Sequence, residues 1–349
     1  MPPPSGGMAT QTLQLAKLLG DERIKVELVQ VNVSYRPNWV AYVPALRALF
    51  RLIPYLARLW HAAGRNDVAH IMANSGWSWH LFAAPAILIA RLRGLRVVVN
   101  YRGGKADAFL QRQGRLVLPV LKRADALVVP SGFLAKIFGS YGLQTIIVPN
   151  IVDLGRFSES DASCGDLAAG PHIIVTRNLE AIYDISTALH AFAAIRAYRP
   201  SARMSVAGSG PEEERLVKEA RELNLNEAIR FTGSLDREGM ARLYRSAHIM
   251  LNPSLVDNTP NSILEAWASG VIVVSTNVGG VPFLVADGVD AITVPPREPR
   301  AMAKAVVAIL DAPQTQESMR TAGKRSASRF TWDQIRPLWL DAYRDERGG

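Results

Sequence analysis

Two carboxylates, Asp257 and Glu265, bracket the polar run Asn258, Thr259, Pro260, Asn261 and Ser262 in the stretch LVDNTPNSILEAWASG (255–270). Thr259 is a good N-cap, and Pro260 suits the first helical position, where an N–H would have no partner. A helix is therefore expected from Pro260. On it Ile263, Leu264, Trp267, Ala268 and Val271 form an apolar stripe, while Asn261, Ser262, Glu265 and Ser269 share another face. Open amides at residues 261–263, together with the helix dipole, suit an anion such as a diphosphate. Asp257 would lie beside that anion, and Glu265 would accept hydrogen bonds from a ligand's hydroxyls. The alternative from the same residues is an ordinary capped helix with one surface glutamate.

Other reactive side chains are fewer. Arg102 follows the apolar run RVVVN (96–100) at what should be a strand's carboxyl end, where it would supply positive charge to a reaction, bind an acceptor phosphate, or ion-pair within its loop. His70 and His80 flank IMANSGWSW and read as hydrogen-bonded core or surface imidazoles, the alternative being that either faces the cleft. His172, His190 and His248 have neither the spacing nor the companions of a metal site. Cys164 is the single cysteine, which excludes an internal disulfide and a cysteine metal site and suits a cytosolic protein.

The elements that must hold these groups alternate along the chain. Apolar runs KVELVQVNV (25–33), VAHIM (68–72), RVVVN (96–100), ALVVP (126–130) and TIIVP (145–149) alternate with helical patterns. After a small-residue stretch at 158–171 come HIIVT (172–176), ARMSVAG (202–208), AIRFTG (228–233), HIMLNP (248–253), VIVVST (271–276) and AITVP (291–295). This alternation predicts two doubly wound α/β domains in series with a cleft between them, and 349 residues exceed what one core usually supports. The expected division is 1–150, 151–330, and a terminal helix at 331–349. At the amino terminus a glycine loop leads into a helix without the strand that normally precedes one, so a late start of the chain is expected.

Charge separates the two halves. Residues 1–150 carry 18 Lys and Arg against 6 Asp and Glu, whereas residues 151–349 carry 22 against 25. An anionic partner is thus expected for the first half alone, the alternative being a solvated Arg-rich surface. The run YVPALRALFRLIPYLARLW (42–60) has helical spacing that fits a helix packed on the sheet or one lying on anionic lipid. No apolar run is long enough to cross a bilayer, and no secretory signal is readable.

The stretch NPSLVDNTPNSILEAWASGVIVVSTNVGGVPFLVADG (252–288) resembles the nucleotide-sugar signature of the GT-B glycosyltransferases of family 4, the group 1 transferases. TRNLEAIYDISTALHAF (176–192), VAGSGPEEERL (206–216), IRFTGSL (229–235), VPNIVDLGRF (148–157) and PPPSGGMATQ (2–11) resemble further segments of that family in the same order. The resemblance implies two Rossmann-like domains and transfer of a sugar from a nucleotide donor, UDP- or GDP-linked, with retention of configuration and no bound cofactor. It assigns the ribose hydroxyls to Glu265, the transferred sugar to Asp257, and the sugar and diphosphate to Asn258, Thr259, Pro260, Asn261 and Ser262. The diphosphate would also meet Arg177 and the close backbone at Gly6 and Gly7, with Gly208 and Gly210 in the G-x-G-P turn and Leu235 by the base. The candidate catalytic residues are Asp257, Arg177 and Arg102. The Asp-x-Asp metal motif of other transferases is missing from the sequence, so leaving-group charge would fall to helix amides and Arg177 without metal.

Three departures from the family pattern stand out. Asp257 replaces the commoner Glu, Ile182 stands where many members carry a diphosphate-binding Lys, and Tyr101 and Arg102 occupy the place of an active-site His. The expected acceptor is a glycan or polyprenyl-phosphate-linked glycan at the cytoplasmic membrane face, with peripheral membrane contact through the basic half. No nucleic-acid reading module is recognisable. A nucleotide-sugar epimerase and a non-catalytic subunit of a polysaccharide complex are the alternatives.

Overall fold

A computed structural model of the chain describes residues 7–31, 44–157 and 170–344. The chain divides into two compact units, Met1–Ile151 with Asp333–Gly349, and Val152–Trp332.

In unit one, helices α1 (Gly7–Asp21) and α2 (Pro44–Ala63) precede a four-stranded parallel sheet. It runs β1 (Val68–Ala73), α3 (Ala84–Leu92), β2 (Arg96–Tyr101), α4 (Ala106–Leu121), β3 (Ala126–Val129), α5 (Gly132–Ser140) and β4 (Ile146–Ile147), with the strands in spatial order 1-2-3-4. Val97, Val98, Val99 and Tyr101 are fully buried, which explains why β2 reads as an uninterrupted apolar run: a parallel strand is covered on both faces. Tyr55 of α2, Ile87 of α3 and Leu110 and Val117 of α4 pack with it into one core.

Unit two opens with α6 (Leu154–Phe157) and alternates β5 (His172–Thr176), α7 (Ile185–Tyr198), β6 (Arg203–Ala207), α8 (Glu213–Glu222), β7 (Ile229–Gly233), α9 (Arg237–Arg245), β8 (Ile249–Asn252), α10 (Asn261–Ala268), β9 (Ile272–Thr276), α11 (Val281–Leu284) and β10 (Ile292–Val294), then α12 (Pro299–Leu310) and α13 (Pro313–Ser328). The parallel strands lie in order 10-9-8-5-6-7. Chain direction across the sheet therefore reverses between β5 and β8, and the loops after these two strands part to opposite faces, leaving a crevice at their carboxyl ends. A last helix, α14 (Trp332–Tyr343), covers β1 and β2 of unit one, its Trp339 ring lying 4.8 Å from His70 and the Ala342 carbonyl accepting from Arg96 Nε at 3.1 Å.

The run at 25–33 departs from expectation. Residues 24–30 form no strand, and residues 32 and 33 lie outside the described residues. Val29 and Val31 pack on the core of unit one while Ile24, Val26 and Leu28 are exposed. The apolar pattern is thus partly buried but is not paired with another strand among the described residues, and pairing is what makes a strand. Of the small-residue stretch at 158–171, expected to be a linker or surface loop, residues 158–169 lie outside the described residues, as does Gly6.

Candidate functional site

Four loops meet at the switch point of unit two. After β5 comes Arg177, after β8 come Ser254 and Asp257, after β6 come Gly208 and Gly210, and after β9 come Gly279 and Gly280. The guanidinium of Arg177 donates through Nε and Nη2 to Ser254 Oγ at 3.3 and 3.1 Å and forms an ion pair with Asp257 Oδ2. Both side chains of the pair are nearly dry, 12% and 10% exposed, and the Tyr183 ring lies 4.5 Å below the guanidinium carbon. Nη1 has no hydrogen-bond partner among the described residues. Beneath the pair runs a buried polar chain. Ser254 Oγ donates to Asn252 Oδ1 at 3.0 Å, Asn252 Nδ2 donates to Ser275 Oγ at 2.9 Å, and Thr276 Oγ1 donates to the Ser254 carbonyl at 2.6 Å. Each buried group thus finds a partner, as a dry interior requires.

The glycines hold these loops flush. At Gly208, with φ +146°, a Cβ would overlap the Arg177 carbonyl oxygen, and at Gly279, with φ +55°, one would overlap the Asp257 carbonyl oxygen. Gly210 abuts Leu179 and Gly280 abuts Asn258 in the same way, with the Gly280 amide donating to the Asp257 carbonyl at 3.0 Å. In this unit the paired glycines act first on the protein itself, seating the two loops that carry Arg177 and Asp257.

Helix α10 begins one residue later than expected. Pro260 has ψ 115°, an extended value, so it occupies the N-cap position and Asn261 opens the helix, without a side-chain cap. The Ile263 amide, expected to be open, donates to the Pro260 carbonyl at 3.1 Å. Asn258 is buried and its amide donates to Asp257 Oδ1 at 2.9 Å; Thr259 is half-buried; Ser262 is 4% exposed and its Oγ has no partner. The helix is anchored by Trp267, fully buried, whose Nε1 donates to the Asp290 carbonyl at 2.7 Å and whose ring occupies the space that a side chain at residue 323 would need.

That anchoring aims Glu265 at the same crevice. Burial pushes its carboxyl up to about 7, against the opposing pull of the Tyr244 hydroxyl and of Arg177 and Arg237. Tyr244 is itself buried, accepting from Thr176 Oγ1 at 2.7 Å and donating to the Ser262 carbonyl at 3.2 Å. Arg177 is pulled below its ordinary value by burial, with Tyr183, Tyr244 and Glu265 opposing. The arrangement offers an anion the free edge of a guanidinium and a ligand's hydroxyls a half-buried carboxyl. Leu235, between β7 and α9, is half-buried against the core beneath α10. The Ile182 carbonyl accepts from the Leu255 amide at 2.8 Å, tying the loops after β5 and β8 together with an apolar side chain in place of a second cation.

Tyr244, Ser254, Asn252 and Tyr183 escaped the sequence reading because no short spacing links them. Arg102, in unit one, lies away from this cluster in the sequence and belongs to a different polar group: its Nε donates to Asn100 Oδ1 at 3.0 Å and its Nη1 to Asn150 Oδ1. Gly7 is the first residue of α1. His172 bonds Ser205 Oγ and the Ser246 carbonyl, and His190 bonds Glu219. Among the described residues no group of three or more His, Cys, Asp and Glu could hold a metal ion, and no helix is long and apolar enough to cross a membrane.

Residues 5–156 match the family model described as glycosyltransferase family 4, and residues 170–312 match that of the glycosyl transferases group 1. A glycogen synthase of Mycobacterium tuberculosis is 27% identical over 301 residues, 81% of this chain and 70% of that protein. A D-inositol 3-phosphate glycosyltransferase of Segniliparus rotundus is 26% identical, over 83% and 68%. Among solved structures, Anabaena Alr3699/HepE in complex with UDP superposes with a TM-score of 0.76 at 17% identity, over 96% of this chain and 95% of that one. A sucrose-phosphate synthase from Thermosynechococcus elongatus gives 0.75 at 19%, over 97% and 93%. At these identities the structures show the fold, two parallel-sheet α/β domains of the GT-B kind.

Proposed function

The chain belongs to the group 1 glycosyltransferases of family 4, and on that premise we propose that unit two binds a nucleotide-sugar donor at its switch point while unit one binds the acceptor. The observation that carries this reading is the convergence of Arg177, Asp257 and Glu265 on one crevice, with Nη1 of Arg177 open to a ligand. Glu265 accepts from the ribose hydroxyls, Asp257 faces the transferred sugar, and Arg177 with the first turn of α10 meets the diphosphate, whose charge grows as the sugar leaves. Asn258, Thr259, Pro260, Asn261 and Ser262 line that turn, and Ser262 Oγ, otherwise unpaired, gains a partner there. Leu235 supports the base. UDP is the first donor base to test, because the Anabaena neighbour was solved with UDP, and GDP the second.

Retention of configuration by a front-face route fits the two carboxyls. Asp257 is neutralised by Arg177, and Glu265, raised to about 7, is part-protonated near neutral pH. Neither is a strong nucleophile, so a covalent sugar intermediate is disfavoured. Charge on the departing diphosphate is met by Arg177 and α10 rather than by a metal.

The acceptor is a glycan or a polyprenyl-phosphate-linked glycan, used at the inner face of a membrane. The outer sides of α2, α3 and α4 support this: Ile53, Trp60, Leu92 and Leu116 are exposed beside exposed Arg58, Arg93, Arg112 and Arg115, and Arg93 stacks 4.9 Å from the Trp60 ring. Apolar side chains set among arginines suit a lipid surface bearing negative charge. Co-sedimentation with anionic vesicles and not with neutral ones is the expected result, and equal binding to both would remove this part of the reading.

The donor site is tested by Glu265→Ala. Loss of a charged hydrogen-bond acceptor costs about 1.5–3 kcal/mol, so nucleotide affinity should fall roughly 10- to 100-fold with a matching loss of transfer. Unchanged affinity and unchanged transfer would overturn the assignment.

A further inference from the structure

Among the described residues of unit one, Arg102 carries a charge without a counter-charge. Arg102 stands just beyond β2, and its guanidinium is oriented by two neutral amides, Asn100 Oδ1 at 3.0 Å from Nε and Asn150 Oδ1 against Nη1. Asn100 is fully buried and Asn150 is 5% exposed. No carboxylate pairs with Arg102 among the described residues, and Nη2 has no hydrogen-bond partner there. Burial draws its value down to about 10, so the group keeps its charge at neutral pH.

A chain of hydrogen bonds behind the guanidinium fixes its direction. Because Asn100 Oδ1 accepts from Arg102, its Nδ2 must donate, and it meets His70 Nε2 at 3.0 Å. His70 therefore carries its proton on Nδ1, 2.7 Å from Tyr343 Oη. Burial and the Arg102 charge hold His70 down at about 3, so the imidazole stays neutral. Every group in the chain turns its acceptor toward Arg102 and none cancels its charge. Neutral amides hold a cation in place without spending its attraction for an anion, whereas a carboxylate would consume it. An uncompensated, largely desolvated charge is otherwise costly.

The place is also the carboxyl edge of the parallel sheet, the edge at which open α/β sheets bind ligands. Arg102 precedes the start of α4, and α5 starts from β3, the strand between β2 and β4, so two helix amino termini add positive potential at the same edge. The loop after β1 is pressed against this one, since a side chain at residue 103 would overlap Asn74 Oδ1.

We infer that Arg102, held by Asn100 and Asn150, is the receptor for a phosphate group on the acceptor. This rests on the reading of unit one as the acceptor domain. The shared chemistry is a phosphate monoester or diphosphate, carried either by a free sugar phosphate or by a lipid headgroup.

The decisive variant is Asn150→Asp, which is nearly isosteric and places a carboxylate against the guanidinium. It should raise the melting temperature by pairing the charge and at the same time weaken phosphate binding at least tenfold. Arg102→Gln should weaken binding equally, and Arg102→Lys by less. Binding is measured on the full chain by calorimetry in two arms, inorganic phosphate and methyl phosphate in one, phosphatidylcholine vesicles containing phosphatidic acid in the other. Loss with both variants in the soluble arm supports the site and a free phosphate group as its ligand. Loss in the vesicle arm alone supports the site and a lipid headgroup. Phosphate binding that is absent from the parent, or that both variants retain in both arms, overturns the inference. A purely structural Arg102 would give the rise in melting temperature with phosphate binding unaltered. UDP-induced thermal shift on the same proteins reports on unit two separately, so failure of the donor reading is distinguishable.

Discussion

Arg177 and Arg102 occupy matching places in the two units, each just beyond a buried strand of a parallel sheet, yet they are held in opposite ways. Arg177 is paired with Asp257 and bonded to Ser254, whereas Arg102 rests on the side-chain oxygens of Asn100 and Asn150. Paired, a guanidinium is cheap to keep folded but must share its field with its partner. Held by amides, it costs stability and keeps its field whole. The first arrangement suits a ligand that brings hydroxyls as well as phosphate, since Asp257 then has a sugar to contact. The second suits a ligand recognised by its negative charge.

The contrast breaks most sharply at Arg177. Arg177→Ala removes the cation proposed to face the leaving group and strands a buried carboxylate, so transfer should fall about 10²- to 10³-fold and stability by about 3–5 kcal/mol. Steady-state rates and denaturant unfolding check both, and retention of stability would mean that the Arg177–Asp257 pair is not the dry pair described.

Next in size is a pH effect at Glu265, whose carboxyl stands at about 7 in the folded chain against an ordinary 4.5. Between those values the folded protein holds a proton that the unfolded chain has released. Stability should therefore fall as pH rises through this window and level off above about 7, by up to about 3 kcal/mol in all. Nucleotide affinity should move the other way, rising through pH 7 as the carboxylate becomes the better acceptor. Titrating UDP binding between pH 5.5 and 8.5, the range spanning the shifted value by roughly 1.5 units on each side, shows this slope in the parent, and Glu265→Gln should flatten it.

A smaller difference separates two glutamine variants. Arg177→Gln leaves Asp257 without its cation, while Arg102→Gln relieves an unpaired charge, so the first should be less stable than the second by about 2 kcal/mol. Equal melting temperatures would erase the distinction between the two arginines. Smallest of all, Ile182→Lys restores a second cation beside Arg177 while the residue's backbone bond to Leu255 is kept. Donor affinity should tighten by about two- to fivefold, on the scale of a part-exposed charge pair, and no change would place the side chain away from the diphosphate.

Most strands were legible because a strand covered on both faces must be apolar along its length, as Ile173, Ile174 and Val175 of β5 are. The run at 25–33 misled for the complementary reason: apolar spacing reports where side chains go and is silent on whether the backbone has a neighbour. Asp257 and Glu265 stood out as two carboxylates around a helix start, and the resemblance of their local segments to a family signature added Arg177. Ser254, Tyr244 and Asn252 were invisible because their partners lie 18 to 77 residues away and converge only at the reversal of strand order. Asn100 and Asn150 hid similarly. An asparagine in a strand run looks like an interruption until the arginine that it turns toward is known.

The last helix sets an order of events during synthesis. Tyr343 reaches back across 273 residues to His70, and Trp339 lies against the same imidazole, so this side of β1 and β2 stays uncovered until residues 339–343 have left the ribosome. All the strands of unit two, β5 to β10, are made before that point. Unit one is thus begun before unit two but covered by α14 only after the strands of unit two are made, and in the interval the face that bears His70 and Asn100 stands uncovered to chaperones and proteases.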